Sequence, residues 1–319
     1  MFRLNVLKPI SFAVLREIMQ STFLIFLLSI FILFLLYLAP GNYLLDEYLI
    51  SLQEEYFSMH GGEGEIIEQL GFLDSYLLWL GSILGGNFGV SSSNGMPVLD
   101  QVFDYMLNTL SIIGSALALS LFIALPMAFF NAKKQFEFIN TSTFIGFNLL
   151  STLPLFWLCY ITIYLSGLWL DYFPLASDFE DISTTQFVLP VLLLSLGSGV
   201  LIEMIQLISS ELSRVLNEEY VLYARAKGAS VFFHALKEGI VFPILNLISN
   251  RIAYLFGASI IVEQIFNWPG LGRILWRSAQ DRDIALLLSA VLISAIIIRT
   301  AYFFTRITYI MINPRASHE

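Results

Sequence analysis

Two ionisable residues, Glu203 and Arg251, lie inside long apolar runs and are the side chains best placed to do chemistry. A charged group at membrane depth is costly, so its presence there favours a function. Two interpretations are open from the sequence. The two residues can pair with each other or with a partner chain as a structural lock. Alternatively, Arg251, beside Asn250, can line a pathway and bind a carboxylate group.

The sequence contains no recognised catalytic or metal-binding motif. None of its five lysines is followed by Ser or Thr, so a P-loop does not occur. The three histidines are scattered, no H-E-x-x-H or G-x-S-x-G is present, and the single Cys159 cannot form an internal disulfide. We therefore expect no catalytic residue, no metal site and no cofactor in this chain. If ATP drives its function, another subunit must bind the ATP.

Composition indicates which elements must position these residues. The chain has 319 residues, of which 57% are hydrophobic and 13% charged, with a mean hydropathy of +0.77. Soluble domains carry about 25% charged residues, so this chain cannot cover a water-exposed surface of its size. The composition excludes a disordered protein, a nucleic-acid binder and an ordinary soluble enzyme. It predicts an all-α membrane protein that crosses the bilayer several times.

Six apolar runs are long enough to span a bilayer, which needs about 20 residues. They are Thr22–Ala39, 107–130, 143–168, 188–209, 239–262 and 284–309. The first run follows basic residues but lacks a small-x-small cleavage site, which favours an uncleaved span over a signal peptide. We accordingly divide the chain into a terminal segment with the first span, an acidic extracytoplasmic loop, a five-helix core and a tail, at 1–40, 41–105, 106–311 and 312–319.

The charge distribution predicts the orientation. The net charge of −9 hides an asymmetry, because the loop 41–105 holds ten acidic residues and the loop 169–187 holds four, and neither holds a Lys or Arg. Most basic residues lie in the termini and in the other loops. By the positive-inside rule both termini are cytoplasmic, in a cytoplasmic (inner) membrane. Within the first acidic loop, the apolar spacing of 65–85 predicts an amphipathic helix at the outer membrane interface, favoured by Tyr76 and Trp79.

The longest predicted cytoplasmic stretch is 210–243. Good helix formers from Leu216 to Lys227 predict a short helix, Gly228 suits the position after its end, and Ser230 can cap a second helix. An ordinary basic inner loop would also fit this composition.

A resemblance to a known family assigns this loop a role. Residues 220–230 (YVLYARAKGAS) resemble the EAA loop of ABC-importer permeases, in the version of the oligopeptide/dipeptide/nickel branch. Further similar blocks occur in the same order at 38–41, 76–80, 86–91, 262–273 and 313–315, and they match the first of two permease subunits. The resemblance implies a type I ABC importer permease fold with a cytoplasmic coupling helix. It assigns ATPase coupling to Tyr220, Ala224, Arg225, Ala226, Lys227, Gly228, Ala229 and Ser230.

The resemblance also implies the partners. These are a second permease, two cytoplasmic ATPase subunits that bind ATP and Mg, and an extracytoplasmic solute-binding protein, assembled in a lipid bilayer without nucleic acid. Oligopeptides are the first expected substrate, then dipeptides, then nickel or another small chelate. A carboxylate bound by Arg251 would then be a peptide's C-terminus. A stand-alone secondary transporter or channel is the main alternative, and it would not explain the cytoplasmic loop.

A third candidate site follows the fifth span, where Trp268-Pro269-Gly270 cannot continue a helix. The resemblance implies an outer re-entrant hairpin that helps to gate the pore and meets the binding protein. A tight turn before an interfacial helix at 274–278 is the alternative. Arg273, Arg277 and Arg282 can pair there with nearby acids. The hairpin residues are Glu263, Trp268, Pro269, Gly270, Gly272 and Arg273.

Overall fold

The computed structural model describes residues 2–39, 43–60, 70–132, 137–175, 184–228 and 237–312. Over these ranges the chain is helical, and an isolated bridge between Val90 and Pro97 is its only β pairing. A short π-helix, Lys237–Val241, precedes α10. The α-helices are α1 Phe2–Leu38, α2 Tyr43–His60, α3 Phe72–Leu84, α4 Val98–Ala132, α5 Glu137–Thr152, α6 Leu155–Leu170, α7 Thr184–Gly197, α8 Val200–Leu216, α9 Glu219–Ala226, α10 Phe242–Ile265, α11 Leu271–Asp281 and α12 Ile284–Ile312.

The helices confirm an all-α membrane architecture. Among the described residues, four helical segments are long and apolar enough to cross a membrane, and six spans result if each of two bent pairs counts as one. The bent pairs correspond to the predicted third and fourth spans, which are therefore not continuous helices. α5 and α6 meet at 103°, and α7 and α8 meet at 51°.

Both bends have a local cause. Pro154 precedes α6 with extended backbone and has no N–H to continue the ladder of α5. Gly199 precedes α8 at φ +80°, a conformation that favours glycine. A Cβ on Gly197 would lie 2.9 Å from the side chains of Leu155 and Leu158, so this glycine allows α6 and α7 to approach closely beside the second bend.

The long helix α4 lies at the centre of the bundle and packs against α7, α8, α11 and α12. Its buried face includes Ile112, Ala116 and Ala124. Within this apolar interface, the hydroxyls of Ser120 and Ser195 lie 2.7 Å apart and join α4 to α7. Small residues and hydroxyl pairs are the usual means by which membrane helices approach closely.

α1 packs against α12 at the edge of the bundle and leaves much of its apolar surface exposed. Two polar contacts hold it there. Arg299 donates to the hydroxyl of Ser21 at 3.0 Å, and the Arg306 guanidinium lies 3.7 Å from the buried Glu17 carboxylate. An exposed apolar helix face of this kind suits contact with lipid.

In the described part of the acidic segment 41–105, two helices precede α4, where the sequence predicted one. α2 was not predicted, although Leu45, Leu49 and Leu52 have helical spacing and are fully buried. α3 overlaps the predicted interfacial helix 65–85 from Phe72 onward. Residues 65–69 of that predicted helix lie outside the described residues.

Tyr76 and Trp79, which by residue type favour the membrane interface, are both buried in protein. Tyr76 hydrogen-bonds to Ser29 of α1 at 2.9 Å. Nearby, burial raises the pKa of the Tyr48 phenol on α2. α2 and α3 thus contribute side chains to the core of the helix bundle.

Candidate functional site

The first candidate site brings together the two ionisable residues singled out from the sequence. Glu203 lies in the first turn of α8 and Arg251 lies near the middle of α10, and the two side chains form an ion pair. Arg251 also stacks over the ring of Tyr254, 5.4 Å from its centroid. The pairing predicted for the structural lock is present. The pair is not sealed, however, because 34% of the Glu203 side chain and 39% of the Arg251 side chain are exposed.

The ion pair lies on the wall of a cavity of about 670 Å³ between α8 and α10. The α8 side contributes polar residues three and seven positions after Glu203, and the α10 side contributes two asparagines four positions apart. The Asn250 side chain donates to Asn246 at 3.3 Å. The cavity is lined by Glu203, Gln206, Leu207, Ser210, Asn246, Leu247, Asn250 and Arg251.

Polar side chains inside membrane spans are tolerated where they face one another or a water-filled cavity. The polar lining therefore suits a water-filled cavity. Sequence reasoning found Glu203, Asn250 and Arg251 but missed Gln206 and Ser210. Their helical spacing from Glu203 was the available signal.

The second candidate site is the hairpin between α10 and α11, which was predicted to lie on the outer side and is called the outer hairpin below. It is built around the fully buried Glu263. Its carboxylate accepts the backbone N–H groups of Gly272 at 2.6 Å and Arg273 at 3.2 Å, in the first turn of α11. The hydroxyl of Thr109 on α4 donates to the same carboxylate at 2.7 Å and accepts the N–H of Leu271 at 2.7 Å. A buried carboxylate at a helix N-terminus is stabilised by these donors and by the helix dipole.

The glycines of the hairpin are required by this close packing. A Cβ on Gly270 would lie 2.4 Å from the Glu263 carboxylate, and one on Gly272 would lie 2.5 Å from the backbone of Ile260. The turn is also tied to α4, since Asn108 donates to the Pro269 carbonyl at 2.8 Å. Trp268 is buried and packs against Phe187 of α7, with ring centroids 5.6 Å apart.

All six predicted hairpin residues thus come together at this turn. The predicted residues do not include Asn108 and Thr109, which hold the hairpin from α4. Three arginines, Arg273, Arg277 and Arg282, were expected to pair with nearby acids. Arg277 lies 3.9 Å from Asp281, whereas the Arg273 guanidinium donates to the Asn267 carbonyl.

A second buried carboxylate, Asp283, lies between the end of α11 and the start of α12. It accepts the hydroxyls of Ser91 at 2.5 Å and Ser93 at 2.9 Å, together with the N–H of Ser93. Its other oxygen accepts the N–H of Leu286 in the first turn of α12. The loop before α4 is therefore fastened to the start of α12.

The third candidate site is the segment after α8, which the charge distribution predicts to be cytoplasmic. The predicted helix 216–227 is shorter than expected, because α8 ends at Leu216 and α9 begins at Glu219. Val221 is fully buried against Leu212 and Val215 of α8, while Tyr220, Tyr223 and Lys227 are exposed. Gly228 follows α9 at φ +73°, as expected for the residue after a helix end. Ala224 and Arg225 lie on α9, and Ala229 and Ser230 lie outside the described residues.

A family model described as "Binding-protein-dependent transport system inner membrane component" matches residues 124–318. The chain belongs to this family. The matched part covers the end of α4 and everything after it, so it contains the cavity, α9 and the outer hairpin. The protein is a multi-pass membrane permease.

Curated relatives extend the likeness over most of the permease. It is 30% identical over 272 residues to the oligopeptide transport system permease protein AppB of Bacillus subtilis, covering 80% of this chain and 84% of the relative. It is 28% identical over 287 residues to the nickel import system permease protein NikB of Staphylococcus aureus, covering 88% and 84% of the two chains. The relatives are permeases, not enzymes.

Proposed function

We propose that this permease forms half of the pathway by which an ATP-driven importer carries peptides across the cytoplasmic membrane. The observation that carries the proposal is the polar cavity between α8 and α10, which lies among spans that are mostly apolar. Water-lined surfaces of this kind mark transport paths in membrane proteins. The likeness to an oligopeptide permease supports the choice of cargo.

Nickel is the closest alternative cargo because a nickel permease is also among the relatives. The cavity chemistry favours peptides. Its lining has one carboxylate, three amides, one hydroxyl and one guanidinium, whereas nickel sites in proteins favour imidazole and thiolate ligands. In the described part of the chain, no three His, Cys, Asp or Glu side chains are grouped to hold a metal ion.

The pathway is completed by a second permease, and two cytoplasmic ATPase subunits bind ATP and Mg. An extracytoplasmic binding protein delivers the cargo to the acidic outer face, and both termini of the chain are cytoplasmic. ATP-driven closure of the ATPases switches the spans between inward-open and outward-open arrangements. The outer hairpin forms part of the gate on the extracytoplasmic side.

Coupling takes place through α9 and the residues that follow it, 220–230. The buried Val221 anchors α9 to α8, so a force applied to its exposed tyrosines and Lys227 is transmitted to the helix that carries Glu203. A short helix that docks in a partner's groove transmits force when its contacts differ between two states.

The proposal is tested with the complete transporter in proteoliposomes that contain ATP and Mg²⁺. We expect ATP-dependent accumulation of labelled trialanine and no accumulation of ⁶³Ni²⁺. Accumulation of nickel alone would overturn the peptide assignment. Transport by the isolated chain, driven by an ion gradient, would overturn the importer assignment.

Co-purification tests the coupling segment separately. The ATPase should be recovered with the tagged chain and should be lost when residues 224–230 are replaced as a block. A matched block replacement of the exposed residues of α11 should retain the ATPase. Retention by both variants would place the ATPase contact elsewhere on the chain.

A further inference from the structure

The Glu203–Arg251 pair leaves part of its hydrogen-bonding capacity facing the cavity. Arg251 uses its terminal Nη2 to donate to Glu203 Oε1, and its guanidinium lies over the ring of Tyr254. A guanidinium has five N–H donors, arranged to match a carboxylate with two parallel hydrogen bonds. Since 39% of the Arg251 side chain is exposed at the cavity wall, the remaining donors are available to a molecule inside it.

The rest of the cavity lining matches the backbone of a peptide. Gln206, Asn246 and Asn250 each present an amide group, which can both donate and accept hydrogen bonds without adding charge. A peptide group likewise both donates, through its N–H, and accepts, through its carbonyl oxygen. The lining can therefore bind a main chain whatever its side chains are, provided that one end is fixed.

We propose that Arg251 is the subsite for the C-terminal carboxylate of the cargo, and that Glu203 is a competing anion that keeps this binding weak. The inference rests on the proposed function and adds a residue-level determinant to it. Glu203 holds the guanidinium in place when the cavity is empty. When a carboxylate enters, two anions share one cation.

The sharing of the Arg251 guanidinium between Glu203 and the cargo carboxylate has a use in transport. A path must bind its cargo well enough to admit it and weakly enough to release it, as in conduction through channels. An arginine with no anion beside it would offer its whole charge and all its donors to an entering carboxylate. The Glu203 carboxylate offsets that attraction, so the cargo leaves by exchange of one anion for another. The pair is thus a positioning and release device as well as a contact between α8 and α10.

The test compares two probes in the complete transporter, reconstituted with ATP: trialanine and trialanine amide, which lacks the carboxylate. We expect Arg251→Gln to lower uptake of trialanine about tenfold and to change uptake of the amide less than twofold. Each rate is divided by that of the unmodified transporter for the same probe, so any preference of the binding protein cancels. Equal loss for both probes would overturn the inference and leave the proposed function standing.

A charge exchange separates the carboxylate subsite from a structural lock. The double variant Glu203→Arg/Arg251→Glu keeps an ion pair between α8 and α10 but moves the cation to the other helix. We expect normal yield of the assembled complex with trialanine uptake still reduced about tenfold. Recovery of both yield and uptake would assign the pair to a lock alone.

Glu203→Gln provides an independent readout of the competing anion. Removal of the negative charge should lower the KM for trialanine severalfold and leave the KM for the amide unchanged. An unchanged KM for trialanine would overturn the release role. If the unmodified transporter accumulates neither probe, the proposed function itself fails.

Discussion

Thr109 Oγ1 lies 2.7 Å from Glu263 Oε1, in a buried hydrogen bond that joins α4 to the end of α10. The same hydroxyl accepts the N–H of Leu271, so one small side chain connects three helices. The outer hairpin is therefore fixed from α4 and is not a free turn. If it gates the pathway, it moves together with the helix end that holds it.

Removal of that hydroxyl should weaken the hairpin. Thr109→Val keeps the shape of the side chain but leaves the Leu271 N–H without its acceptor. We expect a loss of about 1–3 kcal/mol in the free energy of unfolding, which is the cost of a buried unsatisfied polar group. Thermal unfolding of the purified permease in detergent measures this loss as a lower melting temperature. Ser111→Ala is the control, because Ser111 is exposed and bonds only within its own helix; an equal shift for both would contradict the role of Thr109.

The space beside Glu263 predicts a steric effect at Gly270. Gly270→Ala places a methyl group 2.4 Å from the carboxylate, while the backbone at φ −120° accepts any residue. We expect destabilisation of about 1–3 kcal/mol, as for overpacking of a filled core. Gly257→Ala on α10 meets nothing within 4 Å and should have no such effect. Thermal unfolding of the two variants side by side measures the difference, and equal stability would show that the hairpin can relax around the methyl group.

The Asp283 carboxylate should control the order of the loop before α4. Asp283→Ala leaves the hydroxyls of Ser91 and Ser93 and the N–H of Ser93 without their acceptor. Faster amide hydrogen exchange at Ser93 is the expected result, measured by mass spectrometry. Asp281→Asn is the matched control, since Asp281 is exposed two residues earlier. Unchanged exchange in Asp283→Ala would mean that the loop is held by its other contacts.

The two serines between α4 and α7 should show energetic coupling. Ser120→Ala leaves the Ser195 hydroxyl without its partner, and the double variant removes both groups. Hydroxyl contacts between membrane helices are worth about 0.6 kcal/mol on average, so we expect a coupling energy of this size. A double-mutant cycle of unfolding free energies measures it. Strict additivity of the two single substitutions would exclude the contact as a source of stability.

Gly228 should determine the direction in which the chain leaves α9. At φ +73° a side chain with a Cβ costs about 1–2 kcal/mol, and Gly228→Glu also adds an acid next to the exposed Lys227. We expect a permease that is inserted normally but no longer stimulates ATP hydrolysis in the complete transporter. Gly228→Asn should retain most coupling, because asparagine tolerates this conformation. Normal transport by Gly228→Glu would remove the coupling assignment.

The sequence by itself was enough to place the apolar spans, the acidic outer segment and the three candidate sites. This is because hydropathy, charge and turn chemistry are local properties that a run of residues carries wherever it packs. The spacing of Leu45, Leu49 and Leu52 also held the signal for α2, which was missed because the segment was interpreted from its charge alone.

The tertiary structure determined which polar side chains contact each other. Glu203 and Arg251 are 48 positions apart, Thr109 and Glu263 are 154 apart, and Ser91 and Asp283 are 192 apart. Such pairs depend on which helix faces meet, and each polar face has several chemically acceptable partners in the sequence. The bends at Pro154 and Gly199 and the burial of Trp79 depend on the same packing. Local pattern determines that a polar group needs a partner, and only the packed helices determine which one it finds.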